Sequence, residues 1–189
     1  AGGSDTLSFG TIAVTGNLDF SKLSEFETLN LSSASDNLTI SGDEPTNING
    51  GAGNDTFSLD FSSIRNLDGG TNTDTVKLGG NTGSNISSDT DFTPNSTFTN
   101  IEKLDISGLN LNTNDNNTEF NFTDTMIKQW SGSATGTVAL SLTSAQTEKI
   151  MFTDNSGNVS SEVHNTQLSA GTYAYTLKDD GSDGSTNLH

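Results

Sequence analysis

Nine consecutive residues constrain the fold of this chain more than any other part of its sequence. They run from Gly50 to Ser58, read Gly-Gly-Ala-Gly-Asn-Asp-Thr-Phe-Ser, and match the repeat template G-G-x-G-x-D-x-U-x, in which U is apolar. The glycines permit a turn with positive φ, which bulkier residues resist. Phe57 then lies in a short strand and points into a core. The motif predicts one half-coil of a β-roll. It also predicts a calcium site, because the Asp55 carboxylate and the carbonyls of the turn are the hard oxygen ligands that Ca²⁺ prefers.

Two further segments carry the same Asp-Thr-apolar unit, at residues 70–78 and 1–9. A roll built from nonapeptides returns to the same side after about 18 residues, and Asp55 and Asp74 are 19 residues apart. We therefore expect these two turns to stack and to share an ion. The predicted metal-binding residues are Gly51, Gly53, Asp55, Gly70, Asn72 and Asp74, with Asp5 from the first segment. The alternative is that the turns are tight connections between strands and hold no metal.

The acidic composition is consistent with a need for cations. Aspartate and glutamate total 24 against 7 lysines and arginines, which gives a formal charge of −17. This charge argues against nucleic acid as a partner, since phosphate binding requires a basic patch. Only 29% of the residues are hydrophobic, so we expect a loose chain without calcium and an ordered chain with it. There is no cysteine and no apolar run of about 18 residues, so we expect neither disulfides nor membrane insertion.

A longer repeat accompanies the nonapeptides. Residues 23–32 and 98–107 share the pattern apolar-x-x-apolar-Glu-x-Leu-x-apolar-Ser. Its glutamates, Glu27 and Glu102, are either calcium ligands or carboxylates that accept backbone hydrogen bonds at the end of a coil. We favour the second role, because neither has another acidic residue at the next repeat position.

Short strands between polar turns account for most of the chain, since apolar and polar residues alternate there. The predicted strands are residues 6–9, 28–31, 37–40, 56–59, 75–78, 103–106, 119–122, 137–142, 149–153 and 172–178. We therefore predict an all-β protein with a calcium-bound β-roll or β-solenoid region over residues 1–110 and an accessory antiparallel β region over residues 111–189. At most one short helix is expected, over residues 124–130, with Trp130 in the core. We expect one cooperative domain, monomeric and part of a larger protein.

Catalysis is disfavoured by the residues that are missing. The chain has two histidines, one arginine and no cysteine, and it carries no nucleophile elbow or phosphate-binding loop. Paired carboxylates carry little information in so acidic a sequence. Sugar-processing lyases and epimerases on β-helical scaffolds are the one enzyme class to consider, with Arg65, Lys128 and Lys149 as poor candidates for the basic residue. We therefore predict that the protein is not an enzyme.

Acidic loops outside the nonapeptides are further candidate sites. The strongest is the segment 179–184, whose carboxylates belong to Asp179, Asp180 and Asp183. A partly exposed Ca²⁺ there or near Asp89 and Asp91 can bind a ligand carboxylate or sugar hydroxyls directly. Tyr173 and Tyr175 are candidates for the wall of such a pocket. The alternative for each loop is a solvated turn in which aspartate bonds to its own backbone.

The nonapeptide, the Asp-Thr-apolar units and the Glu-x-Leu-x-apolar-Ser repeats together resemble the C-terminal part of bacterial RTX adhesins, which leave the cell by type I secretion. In one branch of that family, a calcium-dependent peptide-binding domain grips the C-terminal carboxylate of a peptide through bound calcium. The resemblance implies a module at the bacterial cell surface or secreted from the cell, with several Ca²⁺ ions and a peptide or protein on a partner cell as its ligand. The chain departs from a full RTX roll because only one nonapeptide is complete.

Other functions remain open at this stage. The first is a structural spacer or S-layer-type segment that calcium merely makes rigid. Glycan binding and ice binding are further alternatives, motivated by the threonine-rich strands. Ice binding requires a flat and regular threonine ladder, and the irregular spacing of the predicted strands argues against it.

Overall fold

The computed structural model describes residues 3–22, 25–42, 45–60, 66–79, 97–108, 120–123, 129–132, 137–143, 150–153, 159–162, 172–179 and 186–188. In chain order the strands are β1 (Thr6–Ser8), β2 (Thr15–Asp19), β3 (Thr28–Asn30), β4 (Asn37–Ser41), β5 (Asn47–Asn49), β6 (Thr56–Asp60), β7 (Asn66–Asp68), β8 (Thr75–Gly79), β9 (Thr97–Thr99), β10 (Lys103–Gly108), β11 (Phe120–Thr123), β12 (Thr137–Thr143), β13 (Ile150–Thr153), β14 (Val159–Glu162), β15 (Thr172–Asp179) and β16 (Thr186–Leu188). A single 3-10 turn, Phe20–Lys22, follows β2. Among the described residues, no helix is long and apolar enough to cross a membrane.

The strands form three sheets. The five-strand sheet has the order β1-β3-β5-β7-β9 and is entirely parallel. The eight-strand sheet has the order β2-β4-β6-β8-β10-β12-β15-β16, parallel from β2 to β12 and antiparallel beyond. A small third sheet joins β11, β13 and β14.

From β1 to β10 consecutive strands alternate between the two large sheets, so each pair of these strands makes one coil of a parallel β-solenoid. The prediction of an all-β, roll-like fold is therefore confirmed. The repeat is 22 residues between β1 and β3 and 19 residues in the next two coils. The connection between β7 and β9 is longer. These differences lie in the connections, and the strands keep a direct register through the stack.

The core lies between the two large sheets and takes one or two side chains from most strands whose side chains are described. From the five-strand sheet it receives Leu29, Ile48, Leu67 and Phe98, and from the eight-strand sheet Leu38, Phe57, Val76, Leu104 and Leu140. Trp130 is buried against Phe98, with ring centroids 5.7 Å apart, so its predicted place in the core is confirmed. Because each coil needs so few apolar residues, a chain of low hydrophobic content builds a continuous core.

The accessory region continues the solenoid. Strand β12 pairs in parallel with β10, and β15 then pairs antiparallel with β12. The predicted boundary at residue 110 lies outside the described residues, as does most of the predicted helix, of which Gln129 and Trp130 are helical. The eight-strand sheet therefore spans both predicted regions.

Candidate functional site

The two glycine-rich turns are stacked, as their 19-residue spacing predicts. Gly51 and Gly70 have φ of 97° and 98°, and the next positive-φ pair is Gly53 at 109° and Asn72 at 91°. Ala52 and Thr71 form a parallel bridge, and the Thr71 N–H donates to the Gly51 carbonyl at 3.0 Å. The two turns therefore have the same backbone shape in consecutive coils.

The close stacking of the two turns is a second reason, besides their positive φ, why these positions are glycine. A Cβ on Gly70 would overlap the carbonyl oxygen of Gly51 in the turn before it. A Cβ on Gly50 would overlap the carbonyl oxygen of Gly69 in the turn after it. The glycines are therefore required by the backbone packing itself, whether or not an ion is bound.

Below the turns, four acidic residues form a column that runs along the solenoid axis: Asp36, Asp55, Asp74 and Glu102. Each accepts a hydrogen bond from the backbone N–H that lies one coil earlier. The Val14 N–H donates to Asp36 Oδ1 at 2.6 Å, and the Asp36 N–H donates to Asp55 Oδ1 at 2.8 Å. The Asp55 N–H donates to Asp74 Oδ1 at 2.8 Å, and the Asp74 N–H donates to Glu102 Oε2 at 2.7 Å. We call this set the carboxylate column.

The carboxylate column gives the aspartates a role that needs no metal. Each side chain satisfies a backbone donor that is buried or partly buried, and leaving such a donor without a partner costs free energy. Glu27 plays the same part on the five-strand sheet, where it accepts from the Asp5 N–H at 2.6 Å. The expectation that Glu27 and Glu102 accept backbone hydrogen bonds is confirmed. Repeated Asp at one offset is therefore not by itself a sign of calcium.

Asp55 and Asp74 differ from Asp36 in their second carboxylate oxygen. The Oδ2 atom of Asp36 accepts the Ser32 N–H at 2.9 Å, and the Ser32 hydroxyl also reaches this carboxylate. One and two coils later, glycine stands where Ser32 stood, at Gly51 and Gly70. Asp55 and Asp74 are 1% and 0% exposed, yet the Oδ2 atom of each has no hydrogen-bond partner. Two buried acceptors are thus left unsatisfied in adjacent coils.

The electrostatic surroundings oppose ionisation of both groups. Burial raises the pKa of Asp55 to about 6, aided by the charge of Asp36 and opposed by the hydrogen bond from the Asp36 backbone. Burial likewise raises the pKa of Asp74 to about 7, aided by the charges of Asp55, Glu102 and Asp68 and opposed by the hydrogen bond from the Asp55 backbone. At neutral pH the column therefore favours a partner that brings positive charge.

The donor chemistry of this site fits a hard cation. The Gly69 carbonyl oxygen and Asp55 Oδ2 both lie against the Gly50 Cα, since a Cβ there would overlap both, and the Phe57 ring lies beside them. The Gly69 Cα faces the Asn100 carbonyl oxygen and Asp74 Oδ2 in the same way. In the described part of the chain no three His, Cys, Asp or Glu side chains are grouped to hold a metal. An ion would therefore take carbonyl or water oxygens besides these carboxylates.

Of the remaining predicted site residues, Asp5 is not brought to the stacked turns. Asp5 precedes β1 on the five-strand sheet, whereas Asp55 and Asp74 precede strands of the eight-strand sheet. The Asp-Thr-apolar unit opens strands in both sheets, and this is why the sequence alignment of Asp5 with the other two misleads. Tyr173, Tyr175 and Asp179 lie on β15, of which only the backbone is described. Outside the described residues lie Asp89, Asp91, Asp180 and Asp183, together with Arg65, Lys128 and Lys149.

A second feature, which the sequence did not suggest, is a groove on the outer face of the eight-strand sheet. Its volume is about 490 Å³, within the range of small ligand sites. One row of facing side chains crosses it from β4 to β10, formed by Thr39, Ser58, Lys77 and Asp105. Because these residues come from four strands separated by long connections, no local motif marks the groove.

Comparison with known proteins gives no relative. No family model matches the chain, and neither a curated protein nor a solved structure matches it. Fold and site geometry are therefore the ground for assigning a function.

Proposed function

We propose that this chain is an extracellular, calcium-dependent ligand-binding module of a bacterial adhesin. Calcium holds the stacked turns of the solenoid, and the rigid scaffold presents a surface that binds peptides or proteins on a target cell. The observation that carries the proposal is the pair of buried, unpaired carboxylate oxygens, Asp55 Oδ2 and Asp74 Oδ2.

Calcium suits these oxygens better than the other sources of positive charge. The described residues supply no lysine or arginine to the carboxylate column, and a proton satisfies only one oxygen at a time. Ca²⁺ takes six to eight oxygen ligands in flexible geometry, and extracellular sites bind it with Kd near 10⁻⁴–10⁻³ M. A cation in the column also offsets part of the repulsion within a chain of charge −17.

The ligand-binding role is supported by the surface that the solenoid builds. Six parallel strands of the eight-strand sheet hold their outward side chains in a fixed register. Such stacked coils form an extended face along which a peptide can lie. The groove between β4 and β10 is the concave part of this face.

A purely structural spacer is the second candidate. The continuous core and the hydrogen bonds of the carboxylate column hold five coils together without any ligand. A spacer is stabilised by calcium in the same way, but it binds nothing saturably.

Calorimetric titration separates these possibilities. We expect the parent protein to bind Ca²⁺ with a Kd near 10⁻⁴–10⁻³ M, and then to bind members of a library of short peptides only while calcium is present. Asp55→Asn with Asp74→Asn removes the calcium heat, and Asp19→Asn, which alters a carboxylate bonded to Ser21 far from the column, keeps it. Calcium binding without any peptide binding supports the spacer. No calcium binding at all contradicts both roles.

A further inference from the structure

We propose that the groove on the eight-strand sheet is the ligand site and that it binds an extended peptide through a carboxylate held by the Lys77 ammonium. This inference rests on the proposed ligand-binding function and places it at a surface distinct from the calcium turns. The groove-lining residues used here are Thr39, Ser58, Lys77, Gly79, Asp105 and Gly108.

Two glycines in the floor of the groove lack the positive φ and the close backbone contacts that require glycine in the stacked turns. Gly79 ends β8 and Gly108 ends β10, where they pair with each other. Neither has positive φ. A Cβ on Gly79 would meet only the Leu59 carbonyl, at 3.9 Å, and one on Gly108 would make ordinary contacts of 3.4 Å or more. Glycine in a strand weakens it and often marks either a β-bulge, such as the register shift between Asp105 and Gly108, or the close approach of a ligand or of another backbone. The bulge accounts for Gly108, whereas Gly79 points to an occupant that lies against the sheet.

Lys77 is the charged group available to that occupant. It stands in the middle of the row that crosses the groove, next to Asp105 on β10. One oxygen of the Asp105 carboxylate is engaged elsewhere, because Oδ1 accepts the Ser107 N–H at 3.0 Å and the Ser107 hydroxyl at 2.6 Å. The Lys77 side chain is exposed, and its ammonium makes no ion pair or hydrogen bond with the described residues. In a chain with only 7 basic residues, an ammonium that the described residues leave unpaired, beside glycines, is a specific feature of this groove.

The dimensions of the groove fit a short extended peptide. Neighbouring strands are about 4.8 Å apart, so the distance from β4 to β10 is about 14 Å. A peptide rises about 3.3 Å per residue when extended, and about four residues span this distance. Its backbone would lie along the solenoid axis, over Gly79 and Gly108. The hydroxyls of Thr39 and Ser58 offer both donors and acceptors to the backbone groups of such a peptide.

The Lys77 ammonium and the total charge of the chain restrict the charges that the bound peptide can carry. A single ammonium favours one carboxylate, because a charge-assisted hydrogen bond to it is stronger than a neutral one. The total charge of −17 repels a polyanion. The groove therefore selects a peptide with one carboxylate and otherwise neutral or basic residues. That carboxylate is either the C-terminus or the side chain of an Asp or Glu.

The test uses tetrapeptides with the parent protein in millimolar calcium, measured by calorimetry. One set has a free C-terminus, one is C-terminally amidated, and one is amidated but carries a Glu side chain. Lys77→Met is expected to weaken binding of the carboxylate peptides about tenfold or more, the effect of losing one charge-assisted hydrogen bond. Gly79→Thr is expected to abolish binding, because its side chain fills the floor of the groove. The melting temperature of Gly79→Thr should equal or exceed that of the parent, since threonine favours strands.

A control variant makes the outcome decisive. Lys103→Met removes the same charge from an exposed site on β10 outside the groove and is expected to leave binding unchanged. Peptide binding that persists undiminished in both Lys77→Met and Gly79→Thr overturns the groove as the site while the proposed function stands. Absence of calcium-dependent peptide binding by the parent protein is the separate failure of the proposed function. The free-acid and Glu-bearing peptides distinguish a terminal carboxylate from a side-chain one.

Discussion

Removing the charge of Asp55 and Asp74 should stabilise the calcium-free protein, although each carboxylate accepts a hydrogen bond from a backbone N–H of the preceding coil. Each side chain is buried, and its unpaired Oδ2 gains nothing from ionisation. The variant Asp55→Asn with Asp74→Asn keeps an amide oxygen that can accept the N–H from the preceding coil. It removes the buried charge and the repulsion along the carboxylate column. We therefore expect the double variant to unfold at a higher urea concentration than the parent in chelator at pH 8.

The magnitude follows from the raised pKa values. One pKa unit corresponds to about 1.4 kcal/mol, and burial raises the pKa of Asp55 from 3.8 to about 6 and the pKa of Asp74 from 3.8 to about 7. Taken separately, these shifts destabilise the folded state at pH 8 by about 3 and about 4 kcal/mol. The repulsion between the two carboxylates contributes to both, so the combined effect is smaller than the total, on the order of 5 kcal/mol.

The direction of these pKa shifts determines the pH range over which the folded state loses stability. Because the folded pKa values exceed the unfolded ones, the folded state binds more protons, and stability falls as pH rises. The loss begins near the unfolded pKa of 3.8 and is complete above the folded values of about 6 and about 7. Urea unfolding in chelator at pH 5 and pH 8 measures it. The parent should lose much more stability between these pH values than the double variant, whereas Asp19→Asn should behave like the parent. Equal pH dependence in the parent and the double variant would refute this reasoning.

Four further substitutions test the packing of the coils, each by urea unfolding in calcium. Gly70→Ala places a Cβ against the Gly51 carbonyl at φ 98° and should cost more than about 1 kcal/mol. Gly10→Ala, where a Cβ meets nothing within 4 Å, should be neutral or slightly stabilising. Equal effects of these two would contradict the stacked turns. Phe57→Ala empties a fully buried site and should cost about 3–5 kcal/mol, so a cost below 1 kcal/mol argues against this core. Ser32→Ala removes the hydroxyl bonded to Asp36 and should cost about 1–3 kcal/mol, and an unchanged midpoint would show that this bond contributes nothing.

The solenoid could be predicted from the sequence because its strongest signal is local. The nonapeptide at Gly50–Ser58 encodes both a positive-φ turn and the strand after it, and its 19-residue relation to Asp74 fixes the stacking. The strands at residues 47–49, 66–68 and 97–99 were missed. Each contains a single apolar residue between polar ones, too short a pattern to distinguish from a turn. Their pairing with neighbours in the five-strand sheet makes them strands.

The candidate site could be predicted only in part. Asp55 and Asp74 lie in the motif, but Asp36 belongs to the carboxylate column without any glycine turn before it. Asp5 shares the motif and lies on the other sheet. The difference comes from the alternation of strands between two sheets, which a linear alignment does not contain. The groove is likewise a property of four coils together, since Lys77 and Asp105 become neighbours only when β8 and β10 pair.

The central claim is that a divalent cation satisfies Asp55 Oδ2 and Asp74 Oδ2. Thermal melting at neutral pH with increasing Ca²⁺ tests it most directly, with the parent and the variant Asp55→Asn with Asp74→Asn measured side by side. A ligand at a hundredfold excess over its Kd stabilises the folded state by about 2.7 kcal/mol per site, so the parent's melting temperature should rise steeply with calcium and that of the variant should not. If both proteins respond to calcium equally, or neither responds, the stacked turns are not the metal site.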